Sequence, residues 1–109
     1  MGEGYSLRRL DALEAKEQML EYMEVHFPKL TPLAQRNLLY ACLFSMQMSL
    51  KHLSGPDRES AVRKISAYFR SHTTTLPKDL GAKEMLWLRL GRISLKGTAY
   101  LRNLLKIGL

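Results

Sequence analysis

Among 109 residues there are one cysteine, one tryptophan and four prolines, and each scarcity closes off a way of building or using the protein. The lone Cys42 has no partner for an internal disulfide and stands inside an apolar run. It is expected to be a small core residue in a reducing compartment, which points to the cytoplasm. Long hydrophobic runs are missing as well. The longest near-apolar stretch, Leu38 to Met46, falls far short of the roughly 20 residues that cross a bilayer, and it lacks the basic leader of a signal peptide.

Catalytic signatures are equally sparse. There is no Gly-x-Gly-x-x-Gly and no phosphate-cradling glycine loop, and none of Asp11, Asp57 or Asp79 belongs to an Asp-x-Asp pair. His26, His52, His72 and Cys42 are scattered without the short spacings of a zinc site. No nucleophile with a nearby base is nominated. The expectation is therefore no catalytic residue, no cofactor and no metal in this chain.

Acid is scarce in one half only. Residues 1–62 carry seven Lys/Arg against eight Asp/Glu, whereas residues 63–109 carry ten against two, so the formal charge of +7 is −1 in the first part and +8 in the second. Such a field favours anionic partners such as nucleic acid, acidic lipid headgroups or phosphorylated ligands.

What is abundant is helix-forming sequence: 46% of the residues are apolar and 25% charged, the balance of a folded globular chain. Residues 1–5 read as a flexible N-terminus, which fits by chance the Met-Gly-x-x-x-Ser acylation pattern, and residues 6–109 as one helical domain. The first helix is predicted from Ser6 to His26, with Leu10, Leu13, Leu20, Met23 and Phe27 on its buried face and a solvated acidic face; Pro28 ends it. A second runs from Thr31 to Leu53, opened by Thr31 as cap and Pro32. Its middle is apolar on nearly every side, so neighbours must surround it. Ser54-Gly55-Pro56 closes it with a left-handed glycine and opens a third helix to Ser71, buried through Ala61, Val62, Ile65, Tyr68 and Phe69. The Thr73-Thr74-Thr75 run is expected to be a loop. Met46 and Met48 read as core filling.

Two short helices are predicted to finish the chain, Gly81 to Leu95 and Thr98 to Ile107, hinged at Gly97. Leu86, Leu90 and Ile93 are expected to form the buried stripe of the first, with Trp87 beside it, and Tyr100, Leu104 and Ile107 that of the second. Arg89, Arg92, Lys96, Arg102 and Lys106 then project as a cationic surface, and apolar stripes beside cationic faces are what membrane-surface helices present. The fold class is all-α: a compact bundle of four to five helices around the central helix Thr31 to Leu53. On it, Arg36, Asn37 and Tyr40 are the positions expected to meet something other than core.

The order of these elements resembles a known family. An acidic helix ending in aromatic-Pro (LEYMEVHFPKL), a Tyr-containing apolar helix with a polar start (AQRNLLYACLFSM), a basic helix ending in Tyr-Phe-Arg (RKISAYFRSH) and Leu-rich basic helices resemble the C-terminal region of bacterial family 2 glycosyltransferases of capsular and exopolysaccharide synthesis. The resemblance implies a non-catalytic C-terminal helical fragment. Its partner would be the nucleotide-sugar-binding α/β domain of the parent chain, which carries that family's catalytic residues; none of those maps onto this sequence. It also implies a cytoplasmic location, peripheral at the inner face of the plasma membrane, with the five basic residues turned toward anionic lipid. Alternatives from other classes are a free-standing nucleic-acid-binding domain, and a protein-interaction or homodimerisation module burying surfaces around Trp87 and Leu101.

Overall fold

A computed structural model describes residues 11–77 and 80–107. The expectations for residues 1–5 and for the start of the first helix at Ser6 to Leu10 lie outside the described residues. Five α-helices follow one another: α1 (Asp11–His26), α2 (Thr31–His52), α3 (Gly55–Ser71), α4 (Ala82–Ile93) and α5 (Leu95–Leu104). No strand is present among the described residues, so the architecture is all-α and the threonine run is a loop.

α2 is the spine. Its 22 residues rise about 33 Å at 1.5 Å each, most of the molecule's 40 Å long axis, and α1, α3 and α5 all pack along it. Leu38, Leu39, Cys42, Leu43 and Met46 are buried on it. They meet Leu13 and Leu20 of α1, Ala61, Ile65 and Phe69 of α3, and Leu88, Leu95 and Ala99 from α4 and α5 in one apolar cluster. The wrapping is not complete, because Phe44 is 48% exposed. On α1 the expected face is shorter than predicted: Leu13 and Leu20 are buried and Met23 half-buried, while Phe27 is exposed.

The connections explain where the helices stop. Pro28–Leu30 forms a single 3₁₀ turn that runs directly into α2. Thr31 therefore already has helical backbone angles (φ −54°, ψ −46°) and makes no side-chain cap. The capping role expected for Thr31 is corrected by this continuity: the preceding turn, not a threonine hydroxyl, leads the chain into the helix. At the other end of α2, Arg58 donates from Nε to the Leu53 carbonyl at 2.9 Å and from Nη2 to the Leu50 carbonyl at 2.8 Å, satisfying acceptors that a helix C-terminus leaves open. Gly55 adopts φ +58° as expected, a conformation that costs other L-residues about 1–2 kcal/mol.

The loop after α3 is held rather than free. Thr73 donates its hydroxyl to the Phe69 carbonyl at 2.9 Å, and Gln35 of α2 donates to the His72 carbonyl at 2.9 Å and the Thr75 carbonyl at 2.6 Å. His72 Nε2 lies 2.7 Å from Glu17 Oε2, which ties this end of α3 to α1.

The last two helices break at Ser94, three residues before the predicted hinge at Gly97. Ser94 is extended (φ −158°, ψ 105°) and its Oγ accepts the Gly97 N–H at 3.0 Å. A serine N-cap is a stronger local signal than a glycine inside a helix that can tolerate it. Gly97 thus sits in the first turn of α5. That helix ends in a Schellman arrangement: Lys106 takes φ 58°, its N–H reaches the Asn103 carbonyl at 3.2 Å, and the Ile107 N–H reaches the Arg102 carbonyl at 2.9 Å.

Candidate functional site

The two C-terminal helices are rotated relative to the sequence-based expectation. On α4 the buried residues are Trp87, Leu88 and Gly91. Leu86 is 54% exposed and Ile93 83%, while Leu90 is half-buried. On α5 the buried residues are Leu95, Thr98, Ala99 and Arg102, and Tyr100, Leu101, Leu104 and Leu105 are all exposed. Of the three residues predicted to anchor α5, only Ile107 is partly covered.

Small residues set this rotation. A Cβ placed on Gly91 would approach the Phe69 ring of α3 to 2.8 Å, so the Phe69 side chain sits against bare α4 backbone at this position. Thr98 and Ala99 likewise present little bulk toward the core. At Gly91 the absence of a side chain leaves room for the Phe69 ring, so local fit as well as hydrophobicity decides which face turns inward.

Arg102 follows from the same geometry and corrects its expected place on the cationic surface. It lies on the α5 stripe Leu95, Thr98, Ala99, Arg102, which faces inward, and it is only 8% exposed. Its Nε donates to Gln47 Oε1 of α2 at 2.9 Å, and its guanidinium carbon stands 4.9 Å from the centre of the Trp87 ring, within cation–π range. Trp87 is therefore a buried platform rather than an exposed partner surface. Desolvation holds the Arg102 pKa below the usual guanidinium value, with the Tyr40 phenol acting in the opposite direction.

The polar seam around Arg102 extends along α2. Gln47 Nε2 donates to the Ile107 carbonyl at 2.7 Å and to Asn103 Oδ1 at 3.2 Å, and Asn103 Nδ2 returns to the Gln47 carbonyl at 3.1 Å. Among the described residues no buried side-chain nitrogen or oxygen lacks a partner, so the network is closed and works as a staple between α2 and α5. Further along α2, Arg36 Nη1 lies 3.3 Å from Glu84 Oε2 of α4. Tyr40 is half-buried beside them. Burial and the Glu84 carboxylate raise its pKa above the usual phenol value, against the pull of Arg102 and Arg36. Arg36 and Tyr40 thus meet another helix of the same domain, while Asn37 is exposed.

Of the five predicted cationic residues, Arg89, Arg92, Lys96 and Lys106 are exposed and Arg102 is not. The four do not form one cluster. Arg92 and Lys96 line a cleft of about 260 Å³ together with Arg70 of α3. Arg89 is on the same outward stripe of α4 as Leu86 and Ile93, at spacings of three and seven. Lys106 caps the end of α5. The role of Arg70 and the inward role of Gln47 were missed by sequence reasoning. A polar residue inside the apolar run of α2 was the available signal for Gln47.

Other hollows are less suited to chemistry. One of about 130 Å³ between α1 and α2 is lined by Met19, Met23, Leu30, Leu33 and Ala34 with Lys16 and Asn37, and it gathers no cluster of charged groups. Among the described residues no group of three His, Cys, Asp or Glu could hold a metal ion, and no helix is long and apolar enough to cross a membrane. Cys42 is buried, and desolvation pushes its pKa up to about 12, the nearby Glu17 carboxylate adding to the rise. It is held as a neutral thiol. Comparison with family models, characterised proteins and solved structures finds no match to this chain.

Proposed function

We propose that this domain docks onto an anionic membrane surface through the outer faces of α4 and α5. The observation that carries the reading is the outward placement of large apolar side chains on both helices, Ile93 at 83%, Leu104 at 64% and Tyr100 at 60% exposure, among the exposed cations Arg89, Lys96 and Lys106. Exposed apolar groups that share one patch mark interaction surfaces. Mixed with lysine and arginine, they suit the boundary between acyl chains and acidic headgroups. Each basic residue near such a surface contributes about 1 kcal/mol, and this contribution is screened by salt.

On the resemblance in element order, the docked enzyme would be a bacterial glycosyltransferase whose α/β catalytic domain this domain holds at the cytoplasmic face of the membrane. That part of the proposal rests on the resemblance alone.

Co-sedimentation with vesicles tests the docking. The expected result is binding to vesicles containing phosphatidylglycerol, weak binding to phosphatidylcholine alone, and a several-fold loss in the double variant Arg89→Glu, Lys106→Glu. Arg102 is unsuitable for charge reversal because its side chain is part of the core. Equal binding to both vesicle types, no binding to either, or light scattering that shows the exposed faces consumed in a dimer would overturn the reading.

A further inference from the structure

The cleft at the α4–α5 elbow has a composition that surface docking does not account for. It lies between the C-terminal half of α3 and the extended residue Ser94, and it is lined by Arg70, Arg92 and Lys96 together with Ser66 and Ser94. Its volume of about 260 Å³ is roughly twenty times what a single water needs on the same measure. No carboxylate lines it, and among the described residues the ion pairs are those of Arg36 with Glu84 and His72 with Glu17. Three cations from three helices therefore face one concavity without an internal counter-charge.

We propose that this cleft binds a doubly charged phosphate group, as a phosphomonoester or a diphosphate. Arg70 and Arg92 each offer a planar fork of donors suited to two oxygens of one phosphate, and Lys96 adds a compact third charge. Ser94 Oγ accepts the Gly97 N–H and as a hydroxyl retains one proton to donate. The hollow on the far side of Lys96, lined by Arg58, Glu59, Val62 and Arg63, contains a carboxylate. Its Arg58 is also engaged with two backbone carbonyls. The anion is thereby directed to the Arg70 side. A bound dianion relieves the mutual repulsion of the three cations and stabilises the fold by mass action. Lys96 is shared with the proposed docking face, whereas Arg70 of α3 is not, so substitution of Arg70 tests the cleft separately from membrane docking.

The test is calorimetric titration of the whole chain with inorganic pyrophosphate. Arg70→Gln, Arg92→Gln and, as a control, Arg89→Gln are titrated alongside; all three side chains are exposed, and circular dichroism verifies that each variant folds. Saturable one-to-one binding is expected, with an affinity loss of about tenfold or more for Arg70→Gln and for Arg92→Gln, and less than about twofold for Arg89→Gln. Vesicles then separate the sources of the phosphate. If the group is a lipid headgroup, Arg70→Gln weakens binding to phosphatidic acid, a monoester, more than to phosphatidylglycerol, a diester. If it is a free small phosphate, Arg70→Gln affects pyrophosphate alone. Absence of saturable pyrophosphate binding, or equal losses for Arg89→Gln and Arg70→Gln, would overturn the proposal.

Discussion

α3 and α5 are both amphipathic, yet they use their apolar residues in opposite ways. In α3 the apolar face Ala61, Ile65, Phe69 is the buried face, and Asp57, Glu59, Arg63, Lys64 and Arg70 are exposed. In α5 Tyr100, Leu101 and Leu104 point outward, while Leu95 points in together with an alanine, a threonine and an arginine. The contrast shows that hydrophobic periodicity locates a core only where apolar residues occupy a single face. α4 and α5 offer two apolar faces, and the face turned inward carries Gly91, which leaves room for the Phe69 ring, and the small residues Thr98 and Ala99. The large apolar side chains left over, Ile93, Tyr100, Leu101 and Leu104 among them, face solvent.

Breaking the spine has the largest expected effect. Leu43 is 1% exposed at the centre of α2. Leu43→Asp loses about 3 kcal/mol of packing and buries a carboxylate at a further cost of several kcal/mol, so circular dichroism should show an unfolded chain. Arg36→Ala removes an ion pair whose side chains are 40% and 35% exposed. Such pairs contribute at most about 1 kcal/mol, and the variant should melt cooperatively within a few degrees of the parent.

The next largest effect separates the polar seam from the apolar core. Gln47→Leu preserves bulk but leaves the Arg102 Nε–H and the Ile107 carbonyl without their partner. Stranding a buried polar group costs about 1–3 kcal/mol, so denaturant unfolding followed through Trp87 emission should show a loss of about 2–4 kcal/mol. A loss no larger than that of an exposed substitution would remove Arg102 from the core and return it to the cationic surface. Ser94→Ala should cost about 1 kcal/mol by removing the cap of α5. Faster amide exchange confined to the first turn of that helix would locate the effect.

The last effect is confined to alkaline pH. Cys42 keeps its proton in the folded chain to a pH of about 12, above its ordinary value of 9.0, and Tyr40 and Tyr68 are raised in the same direction. The folded state thus holds more protons than the unfolded one once pH exceeds about 9, and stability falls as pH rises from there. Below that range these groups contribute no pH dependence. Alkylation of Cys42 at neutral pH should track global unfolding, because burial and the neutral thiol both protect it.

How far the sequence spoke depends on the same contrast. The number of helices, the spine, the buried face of α3, the loop after it and the left-handed Gly55 were all legible, because each depends on a local signal or on a one-sided pattern. The inward faces of α4 and α5 were not, since Leu86 and Ile93 compete with Trp87 and Leu88 for the same core and hydropathy alone cannot rank them. Gly97 carries the breaker signal along the chain, but α5 accommodates it in its first turn and Ser94 makes the break. Arg102 was placed outside on its charge. Only the approach of Gln47 and the ring of Trp87 from other helices makes an inward arginine tolerable, and neither neighbour is visible along the chain. The cleft at the elbow was half legible: Arg92 and Lys96 were singled out, but Arg70 joins them through tertiary packing.

The most direct test is the double variant Ile93→Ser, Leu104→Ser, measured for both thermal stability and partition onto phosphatidylglycerol vesicles. Both side chains are more than half exposed, so the account predicts a melting temperature within a few degrees of the parent. It also predicts that vesicle affinity falls by about tenfold or more, since each lost aliphatic contact with lipid is worth about 1.5–3 kcal/mol when fully buried. A melting temperature lowered as far as by a core substitution, with vesicle binding unchanged, would contradict it and put these residues back inside the bundle.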